Sequence, residues 1–196
     1  MPKRETPRSI LRLTILTDNG TVDTVENARL KIWYHGASPS TGTDDMDMIR
    51  LSVPGTLHFR DVVLRVAASS CRLMRSLAIG KQEPSRDEHE FDDKVVSAVG
   101  EAFNNVAIHA YRGRVAAAVE VEFELRAQGI TIRLMDTGAD FDPSREAMPD
   151  LSMLPESHMG LYIMRSFMDE VTYSAGKPPA LPNVLTLTKR YVAAAP

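Results

Sequence analysis

The chain has 196 residues, of which 43% are apolar and 25% are charged, a composition that supports a packed core and excludes global disorder. Its net charge of −3 argues against a nucleic acid or an anionic membrane as a direct partner. No apolar run approaches the roughly 18 residues that cross a bilayer, no secretory signal is recognisable, and a single cysteine excludes an intrachain disulfide. These features predict a cytoplasmic protein.

Residues 1–45 are predicted to form an N-terminal extension. "SILRLTIL" and "ARLKIWYHG" alternate weakly on either side of "TDNGT", a pattern typical of a hairpin. A lone hairpin is marginally stable in water, so this segment either docks on the main domain or stays disordered. Residues 35–48 are small and polar, as in a linker, and the main domain is therefore predicted to span residues 46–196.

The main domain is predicted to begin with a strand and two helices. "MIRLSVP" alternates as a short strand, and "LHFRDVVLRVAASSCRLMRSLAI" indicates the first helix. The acidic stretch "KQEPSRDEHE" suits a loop and a helix start. A second helix is predicted from about Phe91 to Arg112. Its apolar residues recur at the spacing of a buried helix face: Val96, Val99, Phe103, Val106 and Ala110.

Strands dominate the second half of the chain. "AVEVEFELRAQGITIRLMD" predicts two strands around a turn at Gly129, and residues 137–157 form a loop. "MGLYIMRSFMDEV" indicates a third helix, and "VTYSA" and "NVLTLTKR" are the closing strands. This order predicts an α+β fold, a two-layer sandwich in which three helices cover a mixed, mostly antiparallel sheet.

The second helix carries a polar stripe within "EAFNNVAIHAY". Glu101 and Asn105 are four residues apart and therefore lie on one face. A solvated helix face is the alternative interpretation, although such a face gains nothing from the adjacent Asn104 and Asn105, because asparagine is a poor helix former. A glutamate supplies a general base, and an amide carbonyl supplies an oxygen ligand for Mg²⁺, which needs few protein ligands when phosphate oxygens are present.

Two further segments add features of a nucleotide site. "IRLMDTGADFDP" places Asp136 at a strand end, where its carboxylate can accept a hydrogen bond from an exocyclic amine such as that of adenine. "SHMGLYIMRSFMDEV" opens a helix at Gly160, and the free N–H groups at a helix start bind phosphate readily.

From about residue 48 to 190 the chain resembles the anti-sigma factor serine/threonine kinases of the GHKL (histidine-kinase-like ATPase) superfamily. "EAFNNVAIHAY" is similar to the N box of that family and "DTGADFDP" to its G1 box. "GLYIMRSFMDEVTYSAGKPPALPNVLTLTKR" is similar to the G2 box with the helix and strands that follow it, and "PSREAMPDLSMLPES" to a short ATP lid. The resemblance implies the Bergerat-type ATP-binding fold, with ATP and Mg²⁺ as cofactors.

The resemblance also implies roles for single residues. Asn105 would coordinate Mg²⁺ between the ATP phosphates, and Glu101 would act as general base on a protein serine. Asp136 would hold the adenine amino group, and Gly138 would let the backbone approach the base. The role of Asn104 stays open between shaping the pocket and no part in it.

Four more positions are implied in nucleotide binding. The backbone at Gly160 and Leu161 would meet the phosphates, and Thr186 or Thr188 would reach the adenine side from the last strand. Two positions depart from the family pattern: Asp140 replaces the second glycine of the G1 box, and His158 replaces the first glycine of the G2 box. An aspartate at positive φ is strained, and an imidazole can obstruct phosphate or, when protonated, pair with it.

Two functions follow from the resemblance. The first is an ATP-binding anti-sigma protein that phosphorylates a serine or threonine of an anti-anti-sigma (STAS) partner and sequesters a sigma factor. The alternative is a non-catalytic binding module of the same fold that regulates partners with weak or no ATP binding. In either case no direct nucleic acid partner and no membrane are expected, and a homodimer is implied as a possibility.

Overall fold

The computed structural model describes residues 31–35, 47–79, 86–112, 115–139, 159–177 and 181–191. Several predictions from the sequence fall outside these ranges: the first strand of the N-terminal hairpin, the whole of the predicted lid, and the substituted positions Asp140 and His158. Within the described residues, three α-helices and six strands form two layers.

The sheet is antiparallel throughout its described strands. Its spatial order is β1-β2-β3-β4-β6-β5, and each neighbouring pair runs antiparallel. The predicted α+β sandwich is confirmed, and the described strands contain no parallel pair. The strands are β1 (Lys31–His35), β2 (Asp47–Pro54), β3 (Ala118–Arg126), β4 (Gly129–Asp136), β5 (Glu170–Ser174) and β6 (Asn183–Arg190).

Strand β1 belongs to the segment predicted as an extension. It pairs with β2 along its whole length, with Trp33 opposite Arg50. Of the two outcomes expected for this segment, docking on the main domain is therefore the one seen for residues 31–35. The sheet extends across the predicted boundary between residues 45 and 46.

Alternation along the strands separates a buried face from a polar one. In β3, four residues that alternate along the strand have no exposed surface, because successive side chains of a strand point to opposite faces: Val119, Val121, Phe123 and Leu125. On the opposite face, Glu124 accepts hydrogen bonds from Arg126 and Arg133. Burial opposes ionisation of Glu124, but these two bonds outweigh it and lower its pKa. The open face of the sheet is thus lined by paired charges.

The three helices cover the apolar face. They are α1 (Arg60–Ile79), α2 (Arg86–Asn105) and α3 (Met159–Phe167), and a 3₁₀ turn, Leu57–Phe59, precedes α1. The three predicted helices are confirmed, although α3 ends four residues earlier than "MGLYIMRSFMDEV" suggests. It ends there because the chain turns into β5: the backbone N–H of Asp169 donates to the carbonyl of Thr188.

Helix α2 packs against both α1 and α3 and against the sheet. Its predicted apolar stripe is buried at Val99, Phe103, Val106 and Ala110 and partly buried at Val96. Burial of this stripe turns the opposite stripe, which carries Glu101 and Asn105, away from the core. None of the helices in the described part of the chain is long and apolar enough to cross a membrane.

Candidate functional site

The carboxylate of Glu101 lies against the first turn of α3. Glu101 is half-buried near the end of α2, and α3 begins at Met159. A methyl group added at Gly160 would lie 2.7 Å from Oε2 of Glu101, so glycine leaves room for this close approach. The first turn of a helix carries free N–H groups and the positive end of the helix dipole. The structure thus brings two predicted site residues together at an anion-attracting position.

The adjacent asparagines at the end of α2 have different surroundings. Oδ1 of Asn104 accepts a 2.9 Å hydrogen bond from Nε of Arg60, the first residue of α1. Asn104 therefore ties α2 to α1. Asn105 is half-buried and lies one turn after Glu101 on the same stripe of the helix. The pair available to a ligand beside α3 is thus Glu101 and Asn105.

Helix α2 continues into a single π-helical turn, Val106–Ala110. Such turns hold one extra residue and occur often at functional sites. The carbonyl of Ala110 accepts a 2.8 Å hydrogen bond from the backbone N–H of Ala139. A methyl group at Gly138 would lie 2.5 Å from that carbonyl oxygen and 2.7 Å from Cβ of Ala110. Gly138 therefore makes room for the end of this turn, a contact that the sequence did not predict.

Tyr111 forms a second contact with the same loop. It is 6% exposed, and its hydroxyl oxygen accepts a 3.2 Å hydrogen bond from the backbone N–H of Thr137. Together with the bond from Ala139 to Ala110, this contact fixes residues 137–139 against the end of α2. The loop that follows Asp136 and the helix that carries Asn105 are thus joined directly.

Asp136 ends β4 as predicted, and it is buried, with 7% of its surface exposed. One of its oxygens, Oδ1, accepts a 2.8 Å hydrogen bond from the backbone N–H of Gly138 and lies 3.4 Å from Nδ2 of Asn183. The carboxylate is therefore held in place by the loop it precedes and by the neighbouring strand. A buried acceptor fixed in this way suits recognition of a single donor group.

Thr186 and Thr188 lie on the other face of the sheet. Side chains alternate along β6, and Asn183, which is opposite Asp136 in the register, shares its face. Thr188 is opposite Thr131, with their hydroxyl oxygens 3.5 Å apart, and Thr186 is opposite Arg133. The structure brings neither threonine together with Asp136. Asn183 is the residue of β6 that reaches it.

Leu161 can take part in the implied phosphate contact only through its backbone. Its side chain is 3% exposed and belongs to the hydrophobic core. Its backbone N–H lies in the first turn of α3, together with that of Gly160. This placement suits the implied contact with phosphate, because N–H groups of the first turn have no partner within the helix.

Sequence reasoning missed three residues that shape the candidate site: Arg60, Tyr111 and Asn183. Each acts through a partner that is distant in the chain, 44 residues away for Arg60 and 47 for Asn183. Tyr111 closes the stretch "EAFNNVAIHAY", and its aromatic ring at the end of an apolar stripe was the one available signal. Within the described residues, no group of three His, Cys, Asp or Glu side chains is arranged to hold a metal ion.

Comparison with known proteins agrees with this geometry. The family profile described as histidine kinase-like ATPase domain matches residues 63–189, which include α2, β4 and α3. The anti-sigma F factor of Clostridium beijerinckii is 32% identical over 103 residues, which cover 50% of this chain and 70% of that protein. The match therefore spans the larger part of the relative.

Two other relatives have similar identity. The anti-sigma F factor of Clostridium novyi is 32% identical over 107 residues, covering 53% of this chain and 73% of that protein. The serine/threonine-protein kinase BtrW of Bordetella bronchiseptica is 31% identical over 78 residues, covering 37% of this chain and 54% of that protein. With the fold and the contact between Glu101 and Gly160, these matches show that the chain belongs to the histidine kinase-like ATPase family, in the branch of the anti-sigma factor kinases.

Proposed function

We propose that this protein is an ATP-dependent protein serine/threonine kinase that phosphorylates an anti-anti-sigma (STAS) partner and sequesters a sigma factor. The observation that carries the proposal is the contact of Glu101 with the first turn of α3 at Gly160. The carboxylate of Glu101 and the amide of Asn105, one helical turn away, thus occur together with the start of a helix. The first N–H groups of a helix have no partner within it. Relatives named anti-sigma F factor and serine/threonine-protein kinase support the same reading.

The residues present fit a nucleotide with its metal. Asp136 offers a buried acceptor for the amino group of adenine, and the first turn of α3, at Gly160 and Leu161, offers N–H donors for phosphate. The amide oxygen of Asn105 is a ligand of the type that Mg²⁺ prefers. ATP supplies the phosphoryl group, and Mg²⁺ bound to its phosphates neutralises charge during transfer.

In this proposal Glu101 acts as the general base. In phosphoryl transfer the protein mostly positions the groups and stabilises charge, while a carboxylate accepts the proton of the attacking hydroxyl. The carboxylate of Glu101 lies beside the helix start where the phosphates would be held. A serine or threonine hydroxyl of the partner that approaches this helix start therefore meets the base and the phosphoryl group together.

The test is transfer of phosphate to an anti-anti-sigma protein. Such a partner, co-purified with the full chain and incubated with ATP and Mg²⁺, is expected to gain the mass of one phosphate in intact-mass spectrometry. Glu101→Gln keeps the shape of the side chain but removes the base, so we expect the rate to fall by about 10²-fold or more. Undiminished transfer by Glu101→Gln would remove the role assigned to this residue.

The same experiment separates kinase from scaffold. If the chain binds both ATP and the partner but the partner gains no phosphate, this protein is a regulator that acts by binding alone. Co-purification of a sigma factor in the presence and absence of ATP tests sequestration independently of transfer. Loss of both partners under all nucleotide conditions would contradict the anti-sigma assignment.

A further inference from the structure

Arg60, the first residue of α1, lies against the last turns of α2. Its Nε donates the 2.9 Å hydrogen bond to Oδ1 of Asn104. Its Nη2 would lie 2.8 Å from a methyl group added at Gly100, one helical turn before Asn104. Gly100 is buried, and as a glycine it leaves room for the guanidinium. One side chain of α1 therefore meets α2 at two points that are four residues apart.

These two points flank the residues proposed for catalysis. Gly100 directly precedes Glu101, and Asn104 directly precedes Asn105. Residues 100 and 104 form one stripe of the helix, and residues 101 and 105 form another stripe about 100° around the axis. Arg60 therefore holds the turn of α2 that carries Glu101 and Asn105 without lying on their stripe.

The hydrogen-bonding pattern of the helix changes directly after this turn. Helix α2 ends at Asn105, and the π turn Val106–Ala110 follows without a break. A π turn bonds residues five apart instead of four, and it occurs mostly as a single turn within an α-helix. The loop after β4 holds the far end of the π turn through the carbonyl of Ala110. On the near side, α1 holds the preceding turn through Arg60.

We infer that Arg60 is a positioning residue for phosphoryl transfer, which keeps the turn 101–105 in place so that the Glu101 carboxylate stays beside the start of α3. The role rests on the proposed function. A displacement of about 1 Å in a reacting group can lower a rate by about 10²-fold. The nucleotide itself would be held mainly by Asp136 and the first turn of α3. Loss of Arg60 should therefore act on the rate of transfer rather than on the binding of ATP.

The first experiment measures transfer by the full chain that carries Arg60→Met, which keeps a long apolar side chain and removes the donors. With saturating anti-anti-sigma partner, ATP and Mg²⁺, we expect kcat to fall about tenfold or more. Calorimetric titration should show that ATP binding and its dependence on Mg²⁺ are retained. Arg65→Met is the matched control, because it removes the same charge from the same helix. Arg65 is 80% exposed and pairs with the exposed Asp61, so kcat should stay unchanged.

Gly100→Ala separates positioning from stability. The added methyl group displaces the guanidinium, which is the flexible end of a side chain. Alanine favours a helix more than glycine does, so the thermal midpoint should not fall. We expect kcat to fall as it does in Arg60→Met, although the chain is no less stable. A merely structural contact would not lower the rate of a variant that keeps its stability.

Hydrogen exchange measures the restraint without any activity. In Arg60→Met, the amides of the π turn Val106–Ala110 should exchange faster than in the unaltered chain. Amides in the centre of β3 should exchange at an unchanged rate, because they lie in the middle of the sheet. Unchanged exchange in the π turn would show that Arg60 does not restrain this part of the helix.

The kinetic outcomes distinguish the role of Arg60 from the proposed function. Unchanged kcat in Arg60→Met would overturn the positioning role and leave the proposed function standing. A higher KM for the partner protein at unchanged kcat would also overturn it, because Arg60 would then bind the partner instead. Absence of transfer by the unaltered chain would overturn both. Because Gly100→Ala leaves Arg60 in the chain, the role stays falsifiable even where Arg60→Met does not fold.

Discussion

At the scale of single residues, the adjacent side chains of Asn104 and Asn105 have different surroundings. Asn104 and Asn105 are adjacent in the chain, yet adjacent residues of a helix point about 100° apart. Asn104 is bonded to Arg60 of α1, and Asn105 shares the stripe of Glu101. The contact with Arg60 thus explains Asn104, and the metal-binding role proposed for Asn105 would explain the second asparagine.

Two glycines of the site are expected to respond differently to alanine. In Gly138→Ala the added methyl group meets the carbonyl oxygen of Ala110, which cannot move without distorting the helix end. We expect a loss of about 1–3 kcal/mol in the free energy of unfolding, measured by chemical denaturation. In Gly160→Ala the methyl group meets only the end of the Glu101 side chain.

Gly160→Ala is therefore the matched control. It should leave the free energy of unfolding within about 0.5–1 kcal/mol of the unaltered chain, because a flexible side chain can move aside. Displacement of the Glu101 carboxylate should instead slow phosphoryl transfer. Equal destabilisation by the two substitutions would show that Gly138 is not required by its contact with Ala110.

Local sequence patterns predicted some residues of the candidate site, but they could not predict those that depend on strand register or on partners distant in the chain. Glu101 and Asp136 belong to short local motifs, and helix periodicity or a strand end already places them. Which residue of β6 lies beside Asp136 depends on the register of β6 against β4, which no local pattern contains. Asn183 precedes the alternation of "VLTLTKR" and becomes meaningful only beside Asp136, 47 residues earlier.

At the scale of elements, the end of α2 and the loop after β4 form one unit. In the π turn Val106–Ala110, the carbonyl of Ala110 accepts a hydrogen bond from the backbone N–H of Ala139. The Tyr111 hydroxyl oxygen accepts one from the backbone N–H of Thr137. Two bonds on one short loop restrict its motion relative to the helix. Asp136 and Asn105 are therefore held in a fixed relation by the fold itself.

Removal of one of these bonds should loosen the loop without unfolding the chain. Tyr111→Phe keeps the buried ring and removes the acceptor of the Thr137 N–H. We expect a loss of about 0.5–1.5 kcal/mol in the free energy of unfolding. Relative to the unaltered chain, hydrogen exchange should become faster at the Thr137 amide than it does at amides in the centre of β4. Unchanged exchange at Thr137 would show that the Tyr111 hydroxyl does not restrain the loop.

Sequence predicted the elements better than their ends and junctions. Strong 3-4 periodicity placed α2, and alternation placed β3, β4 and β6, because these patterns reflect burial of one face. The π turn continues the same apolar stripe, so periodicity does not mark it. Strand β1 alternates weakly, and its place in the sheet comes from pairing with β2 rather than from its own sequence.

At the scale of the whole molecule, α1 is tied to α2, and α2 is tied to the residue that follows β6. Buried Arg75 of α1 pairs with Asp92 of α2, although burial still raises the pKa of Asp92. Tyr191, directly after β6, donates a 2.7 Å hydrogen bond from its hydroxyl to Glu88, and its ring meets that of Phe91 edge-on, with centroids 5.4 Å apart. These contacts lie at the opposite end of α2 from Glu101 and Asn105.

The Tyr191 contact predicts a pH dependence of stability. Burial, reinforced by the bond to Glu88, raises the pKa of Tyr191 from 10.0 to about 12. The folded chain holds this proton more tightly than the unfolded chain, so the stabilisation is complete below pH 10 and is lost between pH 10 and about 12. The thermal midpoint of the unaltered chain should exceed that of Tyr191→Phe at pH 8. A midpoint difference that stays constant from pH 8 to 12 would contradict this assignment.

We propose that Asn105, one helical turn after Glu101, holds the metal of a bound nucleotide. The most direct measurement is calorimetric titration of the full chain with ATP, with and without Mg²⁺, for the unaltered chain, Asn105→Ala and Asn104→Ala. We expect binding that Mg²⁺ strengthens in the unaltered chain and in Asn104→Ala, whose asparagine is bonded to Arg60. In Asn105→Ala the effect of Mg²⁺ should disappear. Absence of ATP binding by the unaltered chain, or equal effects of Mg²⁺ in all three proteins, would contradict the account.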